Sequence, residues 1–288
     1  MKARKKGKSG VKVLLVAKQN KAGIRHIKKL EKMLRKHTDD IHFDHSTALR
    51  LRKRGHSIRK FDGDFIITVG GDGTFLWTAH KANVPILPVR IEGKGFLCTV
   101  DFKHLDGHIK DLVSKNFKIM ERMRLSCTKI QTGRIKKYVG KILSSDYPLA
   151  VNEIAFGRKR PSKVLYASFL LDDVKFESVG DGIMFSTPSG STAYNSSAGG
   201  SIIDPKLNAL SITPLYPFFS KIKPMIVSAD KRIVVEVSGG DCAVVIDGHG
   251  GEYVNSGTKF VIEKAKPAKV IIFKEQNVFE KLKKSLID

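Results

Sequence analysis

The stretch Phe65-Ile66-Ile67-Thr68-Val69-Gly70-Gly71-Asp72-Gly73-Thr74 decides the fold. Strand-forming Phe65, Ile66, Ile67 and Val69 run into three glycines wrapped around one carboxylate, Asp72. Helical spacing restarts in Thr74-Phe75-Leu76-Trp77. A buried strand that ends in glycines and opens a helix suits the binding of phosphate. The missing Cβ atoms let backbone N–H groups approach the oxygens, and the helix N-terminus adds partial positive charge. An acid in such a loop would repel phosphate. It makes sense where it takes a proton from an attacking hydroxyl or holds a metal ion. Phosphoryl transfer is therefore the first expectation. The plain alternative is a tight turn whose Asp caps the next helix.

Upstream, Val11–Ala17 reads as a buried strand, and Gly23–Lys36 as an amphipathic helix with Ile24, Ile27, Leu30, Met33 and Leu34 on one side. The basic segment Ile41–Arg59 carries no clear period. Downstream, the apolar run Val84–Val89 is closed by prolines, and Asp101–Lys115 is expected to be a helix. This alternation predicts an α/β layer with parallel strands. After Phe117 the grain changes to short alternating stretches: Arg124–Gln131, Ile135–Leu143, Val164–Leu171 and Val174–Val179, with turns at Thr132-Gly133 and Asp172-Asp173. Further runs at Ile226–Val227, Ile233–Val237, Ala243–Ile246, Phe260–Ile262 and Val270–Phe273 predict a β-rich second domain. The expected division is a disordered basic tail over 1–9, an α/β domain over 10–116, a β-rich domain over 117–274, and a helix over 275–288 that packs back on the first domain.

A chain of 288 residues is long enough for two domains. No apolar stretch approaches the ~20 residues that span a membrane, and basic Met1–Gly10 has no apolar core behind it, which argues against a secretory signal. Cys98, Cys127 and Cys242 are far apart, without metal-ligand spacing. They read as reduced thiols, so the expected compartment is the cytoplasm. Lys and Arg number 52 against 28 Asp and Glu, a formal charge of +24 that favours anionic partners. The excess is spread out, densest at Lys2–Lys8, Arg50–Arg59 and Arg158–Lys163, and lacks the interleaved aromatics of a nucleic-acid surface.

A second glycine-rich stretch, Gly180–Pro205, reads as too small and polar to be core. Its small residues would let a flat ligand lie against backbone, and Thr187, Ser189, Thr192 and Ser197 offer hydroxyls to it. Tyr194 could pack against a base or ribose. The pair Asn152-Glu153, at a strand end, suits the two hydroxyls of a ribose, each of which donates and accepts; a surface turn would read the same.

Taken in order, Gly70-Gly71-Asp72-Gly73-Thr74, Asn152-Glu153, Asp181-Gly182, Ser186-Thr187-Pro188-Ser189-Gly190-Ser191-Thr192-Ala193-Tyr194 and Ser197-Ala198-Gly199-Gly200 resemble the NAD kinase family, most closely in its archaeal form. Ile212-Thr213-Pro214, Lys223-Pro224 and Val245-Ile246-Asp247-Gly248 follow in the family's order, and the resemblance spans Val11 to Phe273. It implies a parallel, Rossmann-like or phosphofructokinase-like N-terminal domain and a β-rich, NAD-binding C-terminal domain. It also implies transfer of the γ-phosphoryl of ATP, or of polyphosphate, to the 2′-hydroxyl of the adenosine ribose of NAD, giving NADP. Asp72 then matches the catalytic acid that accepts the hydroxyl proton. Gly70, Gly71, Gly73 and Thr74 match the phosphate loop, and Asn152 and Glu153 the pair on the ribose and phosphates. Phe96 matches a wall near adenine and Asp181 an acid near the nicotinamide, while Ser189, Thr192, Ala193, Tyr194 and Ser197 match the lining of the NAD site. Mg²⁺ or a similar divalent ion, with ligands unassigned, and a homodimer or homotetramer are implied too.

The chain departs from the family wording at Arg90–Leu97, at Ser201, at Tyr216-Pro217-Phe218 and at His249. Gly7-Lys8-Ser9 imitates the end of a P-loop but lacks the upstream glycine and precedes a strand. His104 and His108, and likewise His42 and His45, read as isolated surface histidines rather than metal ligands. The competing functions are a lipid or sphingoid-base kinase sharing Gly70–Thr74, and a basic nucleic-acid-binding protein. The Thr187–Tyr194 block and the absence of an amphipathic docking stretch disfavour the first. The scattered charge disfavours the second, so the expected partners are NAD and ATP, with neither membrane nor nucleic acid.

Overall fold

The computed structural model describes residues 10–93, 95–130, 147–218 and 222–287. The expected basic tail, Gly7-Lys8-Ser9, and the expected strand Ile135–Leu143 with its Thr132-Gly133 turn lie outside the described residues. The chain divides into two compact units. One runs to Glu121 and resumes at Ala268; the other is Arg122–Pro267.

The first unit is an α/β layer. Strands β1 (Val13–Ala17), β2 (Ile41–Asp44), β3 (Gly55–His56), β4 (Phe65–Gly70) and β5 (Ile86–Arg90) form a parallel sheet in the order β5-β4-β1-β2-β3, and β6 (Val100–Asp101) joins β5. Every residue of β1 and β4 is buried, which is why both read as unbroken apolar runs: a central parallel strand is covered on both faces. Helix α1 (Lys21–Leu34) starts at Asn20, whose side chain accepts the Gly23 N–H, and it buries Ile27, Leu30 and Leu34.

The segment Ile41–Arg59, unassigned from its pattern, resolves into β2, a short helix α2 (His45–Leu51) and β3. The buried Asp44 carboxylate makes the corner by accepting the Ser46 and Thr47 N–H groups. Helix α3 (Asp72–Ala79) follows the glycine loop. The helix expected over Asp101–Lys115 forms only in part: Phe102–His108 is a tighter 3₁₀ segment, and α4 is Ile109–Val113. Gly107, a poor helix former, sits at that change of pitch.

The second unit is a β-sandwich. Its strands are β7 (Lys118–Ile130, which enters from the first unit), β8 (Glu153–Arg158), β9 (Leu165–Leu171), β10 (Val174–Gly180), β11 (Gly182–Ser186), β12 (Ala209–Leu215), β13 (Met225–Ser228), β14 (Ile233–Ser238), β15 (Cys242–Ile246), β16 (His249–Val254) and β17 (Thr258–Ile272). One antiparallel layer is β13-β12-β11-β8-β15-β16, and the other runs β10-β9-β14-β17 with β7 also on β17. Side chains of the two layers share one core. Phe156 of β8 lies 4.9 Å from Phe260 of β17, and Phe185 of β11 lies 6.2 Å from Phe169 of β9 (ring centroids).

The expected Asp172-Asp173 turn joins β9 to β10, with both residues at positive φ (48° and 66°), the backbone a tight hairpin requires. The run Phe260–Ile262 and all but the last residue of Val270–Phe273, read as separate, belong to one 15-residue strand, β17. Its last residues return to the first unit, where Val270 pairs with Ile86. Helix α5 is the single turn Tyr194–Ser197, and α6 (Val278–Ile287) lies in the first unit. Among the described residues, no helix is long and apolar enough to cross a membrane.

The buried face of α1 makes a direct prediction. Leu30 is fully buried, so Leu30→Ala should cost about 2–5 kcal/mol. The expected readout is a lower urea midpoint with an unchanged m-value.

Candidate active site

In the first unit, β4 delivers the glycine loop at its C-terminal end. Gly70 is required by packing: a Cβ there would lie 2.3 Å from the Thr74 hydroxyl, which folds over it. Gly71 and Gly73 are different. A Cβ at either would meet nothing within 4 Å, and neither has a positive φ. Neither packing nor backbone conformation demands glycine at these two positions; close approach of another molecule would.

Asp72 is the first residue of α3 and does not cap it, since the N-cap is Gly71 with no side-chain bond. Its carboxylate reaches instead to the loop after β5. There it accepts the backbone N–H groups of Phe96 (2.7 Å), Leu97 (3.0 Å) and Cys98 (3.3 Å). Two carboxylate oxygens offer about four lone-pair sites; with these bonds made, about one remains, and the Cys98 thiol, a weak donor, shares it. Burial, with the Asp72 charge beside it, pushes the Cys98 thiol up to about 12. It therefore stays a neutral thiol and does not compete as a base. Arg90 forks onto Asp101 (2.5 and 2.9 Å), and Lys18, at the end of β1, pairs with Glu92.

In the second unit the organising group is Asp247. It sits at φ 51° and is buried, and its carboxylate accepts the N–H groups of Val151 (2.8 Å), Asn152 (2.7 Å) and Glu153 (3.0 Å). The glycine- and hydroxyl-rich stretch packs on the same backbone. Thr187 donates its N–H to the Asn152 carbonyl (2.8 Å) and its hydroxyl to that of Val151 (2.6 Å), and it accepts the Gly190 N–H (3.0 Å). Gly190 must be glycine, because a Cβ would stand 2.2 Å from the Asn152 carbonyl oxygen.

The expectation that this stretch is too polar for core is corrected. Gly182–Ser186 is a fully buried strand, and Thr187, Ser191 and Asn195 are each 0 % exposed. The hydroxyls saturate one another and nearby backbone: Ser191 with Pro188 and Ile203, and Thr213 with Asn195. Thr187, expected to offer its hydroxyl to a ligand, spends it within the fold.

Two polar atoms stand out against this saturation. Asn152 Oδ1 and Glu153 Oε2 are buried without a hydrogen-bond partner. Burial pushes the Glu153 carboxyl up to about 8, and the Asp247 charge acts in the same direction. An unsatisfied buried polar atom costs about 1–3 kcal/mol, a cost that a bound polar ligand removes.

The predicted site residues fall into two sets. Gly70, Gly71, Asp72, Gly73, Thr74 and Phe96 lie together in the first unit, where Asp72 joins the glycine loop to Phe96. Asn152, Glu153, Asp181, Ser189, Thr192, Ala193, Tyr194 and Ser197 lie in the second. Tyr194 is 47 % exposed and so open to contact, Ser189 accepts from Arg122 (3.1 Å), and Asp181 pairs with Arg158 (3.0 Å). Sequence reasoning quoted Asp247 only as part of a motif and missed Arg122, Arg158 and Asn195. An Asp-Gly pair entering a turn was the available signal for Asp247; the others depend on contacts between distant parts of the chain. His42, read as isolated, bonds His56 (3.0 Å) and Asp40 (2.6 Å), and His108 stacks on Phe273 at 4.2 Å. Among the described residues no group of three or more His, Cys, Asp or Glu is arranged to hold a metal ion.

Residues 11–117 match the family model of the ATP-NAD kinase N-terminal domain, and residues 151–273 that of the ATP-NAD kinase C-terminal domain. The chain belongs to the NAD kinase family. NAD kinases are phosphotransferases. The chain is 31 % identical over 245 residues to the NAD kinase of Methanothermobacter thermautotrophicus, covering 83 % of this chain and 82 % of that one. It is 33 % identical over 247 residues to the NAD kinase of Methanoregula boonei, covering 84 % and 86 %. In three dimensions it is similar to the crystal structure of an NAD kinase from Archaeoglobus fulgidus in complex with ATP, with a TM-score of 0.74 and 26 % identity over 96 % of this chain and 98 % of that one.

The raised Glu153 value has a pH consequence. The folded protein holds this proton up to about 8, whereas the unfolded chain releases it near about 4.3. Stability is therefore greatest below the lower value and falls as pH rises towards the upper one. Glu153→Gln should flatten the fall in melting temperature between about pH 5 and pH 8. Equal slopes in both proteins would refute the assignment.

Proposed function

We propose that the protein transfers the γ-phosphoryl group of ATP to the 2′-hydroxyl of the adenosine ribose of NAD, forming NADP and ADP. The observation that carries this reading is the pair of buried atoms without a hydrogen-bond partner, Asn152 Oδ1 and Glu153 Oε2, beside the hydrogen-bonded Thr187–Ser191 stretch. A neutral Glu153 can donate as well as accept, which suits sugar hydroxyls. The open space at Gly71 and Gly73 beside the uncapped start of α3 supports phosphate binding by backbone N–H groups. Membership of the family and the likeness to an ATP-bound relative support the substrates.

In the transfer, the 2′-oxygen forms a bond to the γ-phosphorus while the bond to the β–γ bridging oxygen breaks and ADP leaves. The hydroxyl proton passes to the remaining lone pair of Asp72, whose direction the three N–H bonds fix. Gly70, Gly71, Gly73 and Thr74 line the phosphates, and Phe96 walls the adenine. Asp181, Ser189, Thr192, Ala193, Tyr194 and Ser197 line the rest of the dinucleotide. A Mg²⁺ ion or similar divalent cation, brought with the donor's phosphates, would neutralise phosphate charge. Polyphosphate remains within the reading as a second donor. A homodimer or homotetramer belongs to the same reading, and the three buried cysteines, which form no disulfide, support a cytoplasmic setting.

Incubation of the purified protein with NAD, ATP and Mg²⁺, read by an NADP-specific dehydrogenase, should yield NADP. Product with polyphosphate alone would move the donor assignment, and no product with either would refute the reading. Asp72→Asn should lower turnover by about 10²–10⁴-fold while NAD still binds. Full activity in that variant would overturn its role as base. Tyr194→Ala should raise KM for NAD and leave kcat largely unchanged, and the reverse pattern would remove Tyr194 from the NAD site.

A further inference from the structure

Both polar edges of one short peptide run, Phe96–Cys98, are held by side chains from opposite ends of the first unit. The N–H edge is gathered by the Asp72 carboxylate, as described above. The carbonyl edge is gathered by a single ammonium: Lys281 Nζ donates to the carbonyl oxygens of Phe96 (2.9 Å) and Cys98 (2.9 Å). Leu97, between them, is 2 % exposed. The run is thus clamped between a carboxylate at the start of α3 and a lysine of α6.

The position of Lys281 on its own helix argues that the clamp is what this residue is for. The α6 helix begins just after Asn277, whose side chain accepts the Phe279 and Glu280 N–H groups. Lys281 therefore stands at the N-terminal end of α6, where the helix dipole disfavours a cation. The two carbonyl oxygens provide the negative partial charge that offsets this. A lysine whose only duty was to solvate the helix would be better placed near the other end.

We propose that Lys281 is a positioning residue for the phosphoryl transfer, and that the C-terminal helix is in this way part of the catalytic apparatus. This rests on the reading of Asp72 as the base and Phe96 as the adenine wall. With the carbonyl edge pinned, the run cannot slide along the Asp72 carboxylate. The lone pair left to the hydroxyl proton keeps its direction, and the Phe96 side chain keeps its place. Without Lys281 the carbonyl edge loses its donor, and the run is held by the N–H bonds and the burial of Leu97. Misplacement of about 1 Å is enough to cost about 10²-fold in rate.

The test compares Lys281→Met, which keeps the length and removes the donors, with Lys281→Arg, which restores donors to both carbonyls. Two readouts are taken on the full chain: steady-state kinetics with NAD and ATP, and hydrogen exchange of the Phe96, Leu97 and Cys98 amides. The expected result for Lys281→Met is a fall in kcat of at least about tenfold, a raised KM for NAD, and faster exchange of those amides, with the melting temperature nearly unchanged. Lys281→Arg should recover most of the kcat and the protection. Unchanged kinetics in Lys281→Met, or a loss that Lys281→Arg does not recover, would overturn the positioning role. If the wild-type protein forms no NADP, the proposed function fails on its own. The clamp is then judged by exchange alone, and equal protection in wild type and Lys281→Met would refute it.

Discussion

Each unit of this protein is organised around a carboxylate that gathers three successive backbone N–H groups: Asp72 on Phe96–Cys98 and Asp247 on Val151–Glu153. Hydrogen bonds from N–H groups to a charged acceptor are stronger than those between neutral groups. Each also joins a turn to a segment far away in sequence. Take away the Asp247 carboxylate and three N–H groups, all in buried residues beside the Thr187–Ser191 network, lose their acceptor. Take away the Asp72 carboxylate and the Phe96–Cys98 N–H groups lose their acceptor, while Lys281 still holds the carbonyls of Phe96 and Cys98. The glycines, hydroxyls and buried strands take their places around these two anchors.

The two carboxylates differ in what they leave unused. Asp72 spends most of its lone pairs on the loop and keeps about one, which turns a structural acceptor into a directional one. Asp247 lies near a second acid and helps to raise the value of Glu153, which stays protonated where an ordinary glutamate would be charged. The one unit therefore presents an oriented anion and the other a buried, neutral carboxyl. The buried, unpartnered Glu153 oxygen is the costly member of the two, and the surrounding packing sustains it.

Much of the fold was legible because its strands are buried on both faces: Val13–Ala17 and Phe65–Gly70 carry apolar residues at almost every position. What stayed hidden was structure made by polar groups. The β2-α2-β3 segment turns on Asp44 capping its own next turn. Gly182–Ser186 lies within the Gly180–Pro205 stretch that reads as too small and polar for core, yet it is an interior strand because β8 and β12 pair with it on either side. In the site, the glycine loop and Asn152-Glu153 announced themselves by residue type. That Asp72 reaches Phe96, or that Lys281 reaches the same run, depends on contacts across 24 and 185 residues of chain, which no local pattern encodes.

The first unit is not made from one continuous stretch of chain. It needs Val270 beside β5, Ile271 in its core and the α6 lysine on the Phe96–Cys98 run, all of which follow the whole second unit in sequence. A chain made from its N-terminus meets these pieces late. The sandwich can close while the layer bearing the glycine loop still lacks an edge contact and a clamp. Completion of the first unit is thereby deferred until the second has been made, and a product shortened before Ala268 would carry the recognisable loop without the contacts that hold the Phe96–Cys98 run.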